Sequence, residues 1–547
     1  MTTPVVATPG LVSLPRITTL VASVLVALGS GTNYVFSVYA PQLASRLHIT
    51  HTRLNMIGLA GNIGGYSTGP FLGRTADTQG PRPLMASSFI LLLCGYLGIR
   101  TIFDMGSPGT HPTVIFWLLV LFTFMTGAGG NAGLVSSVNA TANSFPDRAR
   151  ATTTGIVISG FGLSAFFFST ISRTIYHGDT SSFLFLLALG TSFPMILGYF
   201  FVCRIPLPAY DLVHTAEYGA TEEELSEDEY ESALASGAET PLLGGEPSVE
   251  RTSNSLEHNL PRSSLAGLSH RPRSSIHRSG FADAHRMHLE PADISGKQLL
   301  VSVDFWIIVV IMSLLSGTSV MYINNVGSIS QALVAKGNPN YDEAVAAQWQ
   351  ATQVSLISIT NFSGRVLIGL ASDYTKNILC LPRSYCISLV CTLFIISQAV
   401  AFSTDDITQL WKASLALGLA YGGLSGLFPS ITIDWFGLSH FSENWGIVCL
   451  SPFIGGNLFS IAFGRNLDAH TPSSSDTPPT APFLGASISE PQCLEGRACY
   501  AASLQMTTAA CCLALALGIW AAQRDRMRAS ALVEIARKRT VDWDEQS

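Results

Sequence analysis

Twelve apolar stretches, each close to the length that crosses a bilayer, constrain this chain more than any other feature. They are Ile17–Ala40, Leu54–Leu72, Pro83–Ile99, Val114–Thr141, Thr153–Ser172 and Phe183–Val202, then Phe305–Ile323, Trp349–Leu370, Tyr385–Phe402, Leu415–Ile433, Trp445–Phe463 and Ala498–Ala521. A hydrocarbon core of about 30 Å takes roughly 20 apolar residues as a helix. Within these limits the only ionic side chain is Arg365. Composition excludes a soluble alternative. Charged residues make up 12% of the 547, against about 25% in a typical soluble protein, and 48% are hydrophobic. The first stretch is too long for a cleaved signal and is expected to stay as an anchor. The expected fold is all-α and membrane-embedded, six helices, a long polar connection, then six more.

The two halves repeat. Ser30-Gly31-Thr32 recurs as Ser316-Gly317-Thr318, Gly73 to Asp77 as Gly369 to Asp373, and Phe145 with Gly155-Ile156-Val157 as Phe436 with Gly446-Ile447-Val448. The offsets are 286, 296 and 291, in unbroken order, as duplicated and pseudo-symmetric six-helix halves require. Gly61, Gly65, Gly69 and Gly73 recur every four residues, as do Gly418, Gly422 and Gly426. Small residues at that spacing let helix backbones approach in lipid. The Gly160-x-Gly162-x-x-Ala165 run follows no strand, so it is not a nucleotide loop. Ten cysteines form no CxxC pair and never join His at zinc spacing, so neither a metal nor another cofactor is expected.

Organisation follows from charge. Sixteen of the 37 acids lie between Asp211 and Asp293, so the net charge of −7 belongs to one loop and does not indicate a nucleic-acid partner. The boundaries are an N-terminus of 1–16, a first half of 17–203, a loop of 204–300 disordered by composition, a second half of 301–522 and a basic tail of 523–547. Lys and Arg number 21 on the loops and termini of one side and 8 on the other, which puts both termini and the central loop in the cytosol. In that loop Arg271-Pro272-Arg273-Ser274-Ser275 would suit a basophilic kinase, and Glu239-Thr240-Pro241-Leu242-Leu243 nearly matches an acidic dileucine sorting signal. A plain tether is the alternative.

Gly73-Arg74-Thr75-Ala76-Asp77-Thr78-Gln79-Gly80-Pro81-Arg82 resembles the loop 2–3 signature of the major facilitator superfamily, Gly-x-x-x-Asp-x-x-Gly-x-Arg. Gly31 to Tyr39, Leu54-Asn55 with Gly58 and Asn62, and Asn361-Phe362-Ser363-Gly364-Arg365 followed by Ser372-Asp373 look like its nodulin-like branch. Within that branch the likeness is to fungal monocarboxylate-transporter homologues, usually placed at the vacuolar membrane. The resemblance implies alternating access, two halves rocking about a midplane cavity. It also implies a gate formed by Asp77, Arg74, Arg82 and Asp373. Asp77 would meet the start of helix eleven near Asn444, and Asp373 the start of helix five near Thr153. A carboxylate there is favoured by the helix dipole. Solvated turn aspartates are the plainer reading.

Departures from the pattern bear on mechanism. Monocarboxylate carriers pair an acid with the helix-eight arginine; here the arginine is Arg365 and the acid's place holds Asn361. Their helix-one lysine falls at Val38. Helix four lacks an arginine, and helix five lacks the Gly-Pro-x-x-Gly-Gly motif. No buried carboxylate is left to carry a proton.

Candidate solute-binding residues are Asn33, Tyr34, Asn62, Asn131, Tyr322, Asn325, Asn361, Arg365 and Tyr421. An intramembrane amide often only joins neighbouring helices. Arg365 has three readings: it snorkels, pairs with Asp373, or grips an anionic substrate such as a small carboxylate. Cys493 and Cys499 flank a turn in the last non-cytosolic loop, as a disulfide or as two thiols. No catalytic motif is present, so an enzyme is not expected. The expected function is secondary transport of a small organic solute across the lipid bilayer by a monomer; the alternative is a transporter-like sensor acting through its cytosolic loop.

Overall fold

The computed structural model describes residues 13–49, 51–106, 112–176, 179–206, 293–336, 342–470, 493 and 495–546. Among them no strand occurs. The chain divides into one unit of residues 1–215 and 290–526, which holds the helical bundle, and a second of 216–289 and 527–547. The kinase and sorting motifs of the central loop lie outside the described residues.

The first half comprises α1 (Leu14–Ser30), a 3-10 turn (Thr32–Val35), α2 (Phe36–Leu47), α3 (His51–Ser67), α4 (Gly69–Gln79), α5 (Pro81–Met105), α6 (Pro112–Ser144), α7 (Asp147–Ile175) and α8 (Thr180–Phe201). The second comprises α9 (Lys297–Val301), α10 (Val303–Val334), α11 (Glu343–Asn377), α12 (Tyr385–Ser403), α13 (Trp411–Phe436), α14 (Phe441–Val448), α15 (Ser451–Ala469) and α16 (Ala501–Gln546). Among the described residues ten helical stretches are long and apolar enough to cross a membrane, and α1 is a shorter apolar helix. Three spans are broken. The first is interrupted by the 3-10 turn after Gly31, the second at Thr68 between α3 and α4, and the eleventh between α14 and α15. With those breaks counted within spans, twelve spans stand in two sets of six. The last helix runs from Ala501 to Gln546.

Local chemistry sets the element ends. Proline occupies the first turn of α1, α4 and α5, where its missing N–H costs no hydrogen bond. Gly80, at φ +81°, makes the tight turn from α4 into α5. Asp179 caps α8 by accepting from the Ser182 N–H at 3.1 Å.

Burial is inverted relative to a soluble protein. Leu25, Ile90, Phe193, Phe200, Trp306, Leu389, Leu458 and Trp520 are exposed. Such a continuous apolar exterior suits lipid. Inside, each half has its own apolar core. One runs through Val26, Leu43, Leu92, Tyr96, Leu187 and Met195, the other through Ile311, Tyr322, Phe394, Leu417, Phe428 and Cys511. Among the described residues, the apolar cluster that joins the halves is small, with Ala27, Val138, Val157 and Ile158 on one side and Ile433 and Phe441 on the other.

Candidate functional site

At one end of the bundle, two carboxylates cross from one half to the other. Asp77, on the last turn of α4, accepts from the Ser442 N–H at 3.3 Å and the Glu443 N–H at 2.9 Å, both in the first turn of α14. Asp373, near the end of α11, accepts from the Ala151 N–H at 3.3 Å, and from the Thr152 N–H and hydroxyl at 2.8 and 2.7 Å, the fifth and sixth residues of α7. The Ser442 and Glu443 amides, in the first turn of α14, have no partner within their own helix, and the helix dipole adds to the attraction. Ala151 and Thr152 are the residues that the 291-residue offset matches to Ser442 and Glu443. The two contacts are therefore copies of each other, one and two residues before the positions anticipated at Asn444 and Thr153.

The seams beneath these contacts repeat too. A Cβ at Gly73 would collide with the Ser442 carbonyl, and one at Gly369 would lie 2.7 Å from the Ala151 carbonyl. Gly69 packs on Gly446; its repeat partner Arg365 packs its own carbonyl on Gly155. Arg365 thus stands where the other half has a glycine. It is 4% exposed, its guanidinium donates to the Ile158 carbonyl, and it sits 5.8 Å from the Phe161 ring centre, on α7 of the opposite half. It does not pair with Asp373.

The chemistry around the two carboxylates differs. Asp373 is bound by Arg383 at 2.9 Å, and Arg383, 1% exposed, also reaches Asp147 at 3.1 Å and Asp434 at 2.8 Å. Lys376 joins the same acids at 2.7 and 3.1 Å. Asp77 is served instead by the Asn139 amide, which donates to it at 2.7 Å and to the Ser442 hydroxyl at 2.6 Å. Burial raises the Asp77 carboxyl above its ordinary range, against the pull of the Glu443 and Ser442 donors and of Arg204. Arg74 and Arg82 are exposed and form no ion pair with a described residue.

The candidate solute-binding residues do not gather at one point. Asn33 donates to Asn62 at 2.8 Å within the first half, next to the break in the first span. Tyr322 is fully buried in the second core, its hydroxyl 3.0 Å from that of Ser414, and Asn325 donates to its own helix at Met321. Asn361 is buried on α11 one turn from Arg365, while Asn131 and Tyr421 are half-buried. The Tyr34 side chain is outside the described residues. Cys493 and Cys499 are joined as a disulfide, with Cα atoms 6.0 Å apart.

Sequence reasoning did not anticipate Asn139, Arg204, Arg383, Asp147 or Asp434. Pro382-Arg383 does echo Pro81-Arg82, a signal that the repeat carries.

Duplicated six-helix halves with a thin seam, wrapped in apolar surface, define a multi-pass membrane protein of transporter build. The pattern of the Major Facilitator Superfamily matches residues 20–465, and the chain belongs to that family. An uncharacterized membrane protein of Saccharomyces cerevisiae is 25% identical over 93% of this chain and 95% of its own. Proteins named "Probable transporter MCH1" from Wickerhamomyces anomalus and Gibberella zeae are 25% and 24% identical, over 82% and 92% of this chain and 78% and 89% of theirs. Among solved structures, a bacterial homologue of the iron transporter ferroportin in its outward-facing state shares the fold at a TM-score of 0.54 and 13% identity, covering 92% of this chain and 98% of that one. The proton:xylose symporter XylE does so at 0.52 and 12%, covering 90% and 94%. At these identities the likeness is of fold.

Proposed function

We propose that this membrane transporter carries a small organic solute by alternating access, and that Asp77 and Asp373 latch one end of the bundle shut. The observation that carries the reading is the pair of repeat-related carboxylate contacts spanning a seam with little apolar burial. Each half keeps its core when the seam parts, so rocking breaks the latches, the ion pairs of Asp147 with Arg383 and Lys376, the close glycine contacts and a small apolar cluster. We place the latched end in the cytosol, from the distribution of Lys and Arg, and the protein at the vacuolar membrane, from its likeness to the nodulin-like branch.

Arg365 supports an anionic solute, a small carboxylate in particular. Closed, its guanidinium is bound across the seam to the Ile158 carbonyl. Separating α7 from α11 withdraws that carbonyl and turns a planar two-pronged donor toward the space between the halves. Purified protein in liposomes, tested with a panel of labelled carboxylates, amino acids and sugars, decides the matter. Saturable uptake of a carboxylate is expected; uptake confined to neutral or cationic solutes removes the anion reading and leaves transport standing.

A further inference from the structure

The polypeptide that connects the halves leaves α8 and approaches α9 through two short non-helical stretches, residues 202–206 and 293–296. Both are bound to the same latch. In the first, the Ser144 hydroxyl donates to the Cys203 carbonyl and accepts from the Ile205 N–H, and Arg16 donates to the Pro206 carbonyl at 3.1 Å. These bonds hold Arg204 over the end of α4. There its guanidinium donates to the Ala76 and Asp77 carbonyls, the latter at 3.3 Å, and to the Asn139 side-chain oxygen at 2.8 and 3.0 Å. A cation at these carbonyls satisfies the helix C-terminus. Holding the Asn139 oxygen also aims its NH2 group, which bridges Asp77 in one half to Ser442 in the other.

The second stretch grips the receiving side. Asp293 accepts from the Ser439 N–H at 3.4 Å and its hydroxyl at 2.5 Å, in the turn between α13 and α14. The Ile294 N–H donates to the Phe436 carbonyl at 3.1 Å, and Asn444 donates to the Ile294 carbonyl at 2.8 Å. Gly437, at φ +87°, leaves the space that the Asp293 carboxylate fills; a Cβ there would strike it. So the connection binds the helix that presents Asp77 at one end and the helix that receives it at the other. Among the described residues, neither stretch bonds to Asp373, Ala151, Thr152 or Arg383.

We propose that Arg204 and Asp293 are positioning residues of the Asp77 latch alone, so that the connection between the halves governs one latch and leaves the other to its ionic cluster. A charge or load acting on the connection is then felt at α14 and not at α7. The proposal rests on the alternating-access reading.

Amide hydrogen exchange on the full chain in nanodiscs tests it. Arg204→Gln, Asp293→Asn and Asp77→Asn should each speed exchange of the first α14 amides roughly tenfold, the scale of one lost charge-assisted hydrogen bond. Arg204→Gln should add little in an Asp77→Asn background and its full effect in an Asp373→Asn background. Arg204→Lys, which keeps the cation at α4 but cannot also bracket Asn139, should fall between; with Asp293→Asn it carries the test if Arg204→Gln does not fold. Exchange at the start of α7 should stay within threefold. If α14 is unchanged in Arg204→Gln and Asp293→Asn while Asp77→Asn speeds it, the connection has no such role and the latch stands. An equal rise at α7 also overturns the single-latch assignment. If Asp77→Asn itself does nothing, the latch reading fails and takes this proposal with it.

Discussion

At the scale of single residues, two aspartates do the same job with different support. Replacing a carboxylate at a helix N-terminus by an amide costs about 1–2 kcal/mol, so Asp77→Asn and Asp373→Asn should each shift the latched-to-open ratio roughly five- to thirtyfold. Net uptake should fall while insertion is unaffected; wild-type uptake and exchange in both would make them ordinary turn residues. The neighbours differ in stakes. Arg383 is buried among Asp147, Asp373 and Asp434. Removing one partner of such a cluster leaves uncompensated charge, at about 3–5 kcal/mol. Arg383→Gln should therefore lower the thermal midpoint of the purified protein well beyond Arg82→Gln, whose side chain is exposed. Equal midpoints would contradict the ion cluster. For Arg365, Gln should abolish binding of an anionic solute and Lys should keep it at reduced affinity, since a point charge lacks the second prong. Normal carriage by Arg365→Gln would rule out the anion site.

At the scale of elements, the latches depend on backbones that touch. Gly73 and Gly369 lie where any side chain meets a carbonyl of the opposite half. A valine at either position overpacks its seam by about 1–3 kcal/mol. Because each half buries its core separately, the variant should fold and rest in the form open at this end. Faster amide exchange at the start of α14 in Gly73→Val, and at the start of α7 in Gly369→Val, is the expected signature. Global unfolding instead would mean that the seam is part of one shared core. The broken first span adds a second element-scale feature. Asn33, within its 3-10 turn, donates to Asn62, a side-chain bond that ties the broken first span to the second.

For the whole molecule, sidedness remains the decisive test of the functional reading. Protease added to the cytosolic face of sealed vacuoles should cut within residues 207–292 and leave two embedded fragments. Protection of that segment would invert the topology and put the latches on the opposite face. After cleavage the halves should stay together, because the seam glycines, both latches and the two bound stretches at the ends of the connection all lie outside the cut region.

Much of this architecture was legible in the residues alone. Span count and duplication follow from local rules, apolar length and a repeated register, whereas the crossing of Asp77 and Asp373 was an implication of the family resemblance. The candidate site was legible only in part. Asn33 and Asn62 proved to be partners, whereas Tyr322 turned into the second core and Arg365 toward Ile158. Depth along a helix can be counted from sequence, but the direction a side chain faces depends on how that helix is rotated against its neighbours. Arg204, Asp293 and the acids that surround Arg383 were not legible for a related reason. Apart from Asp373, ten residues before Arg383, the partners of that arginine are 51 and 236 residues away, and contact at such separations arises only from packing the helices together. The sequence by itself therefore determined which segments cross the membrane and that they do so as two copies; the tertiary structure decided which charges meet, because each such meeting joins elements that no local pattern relates.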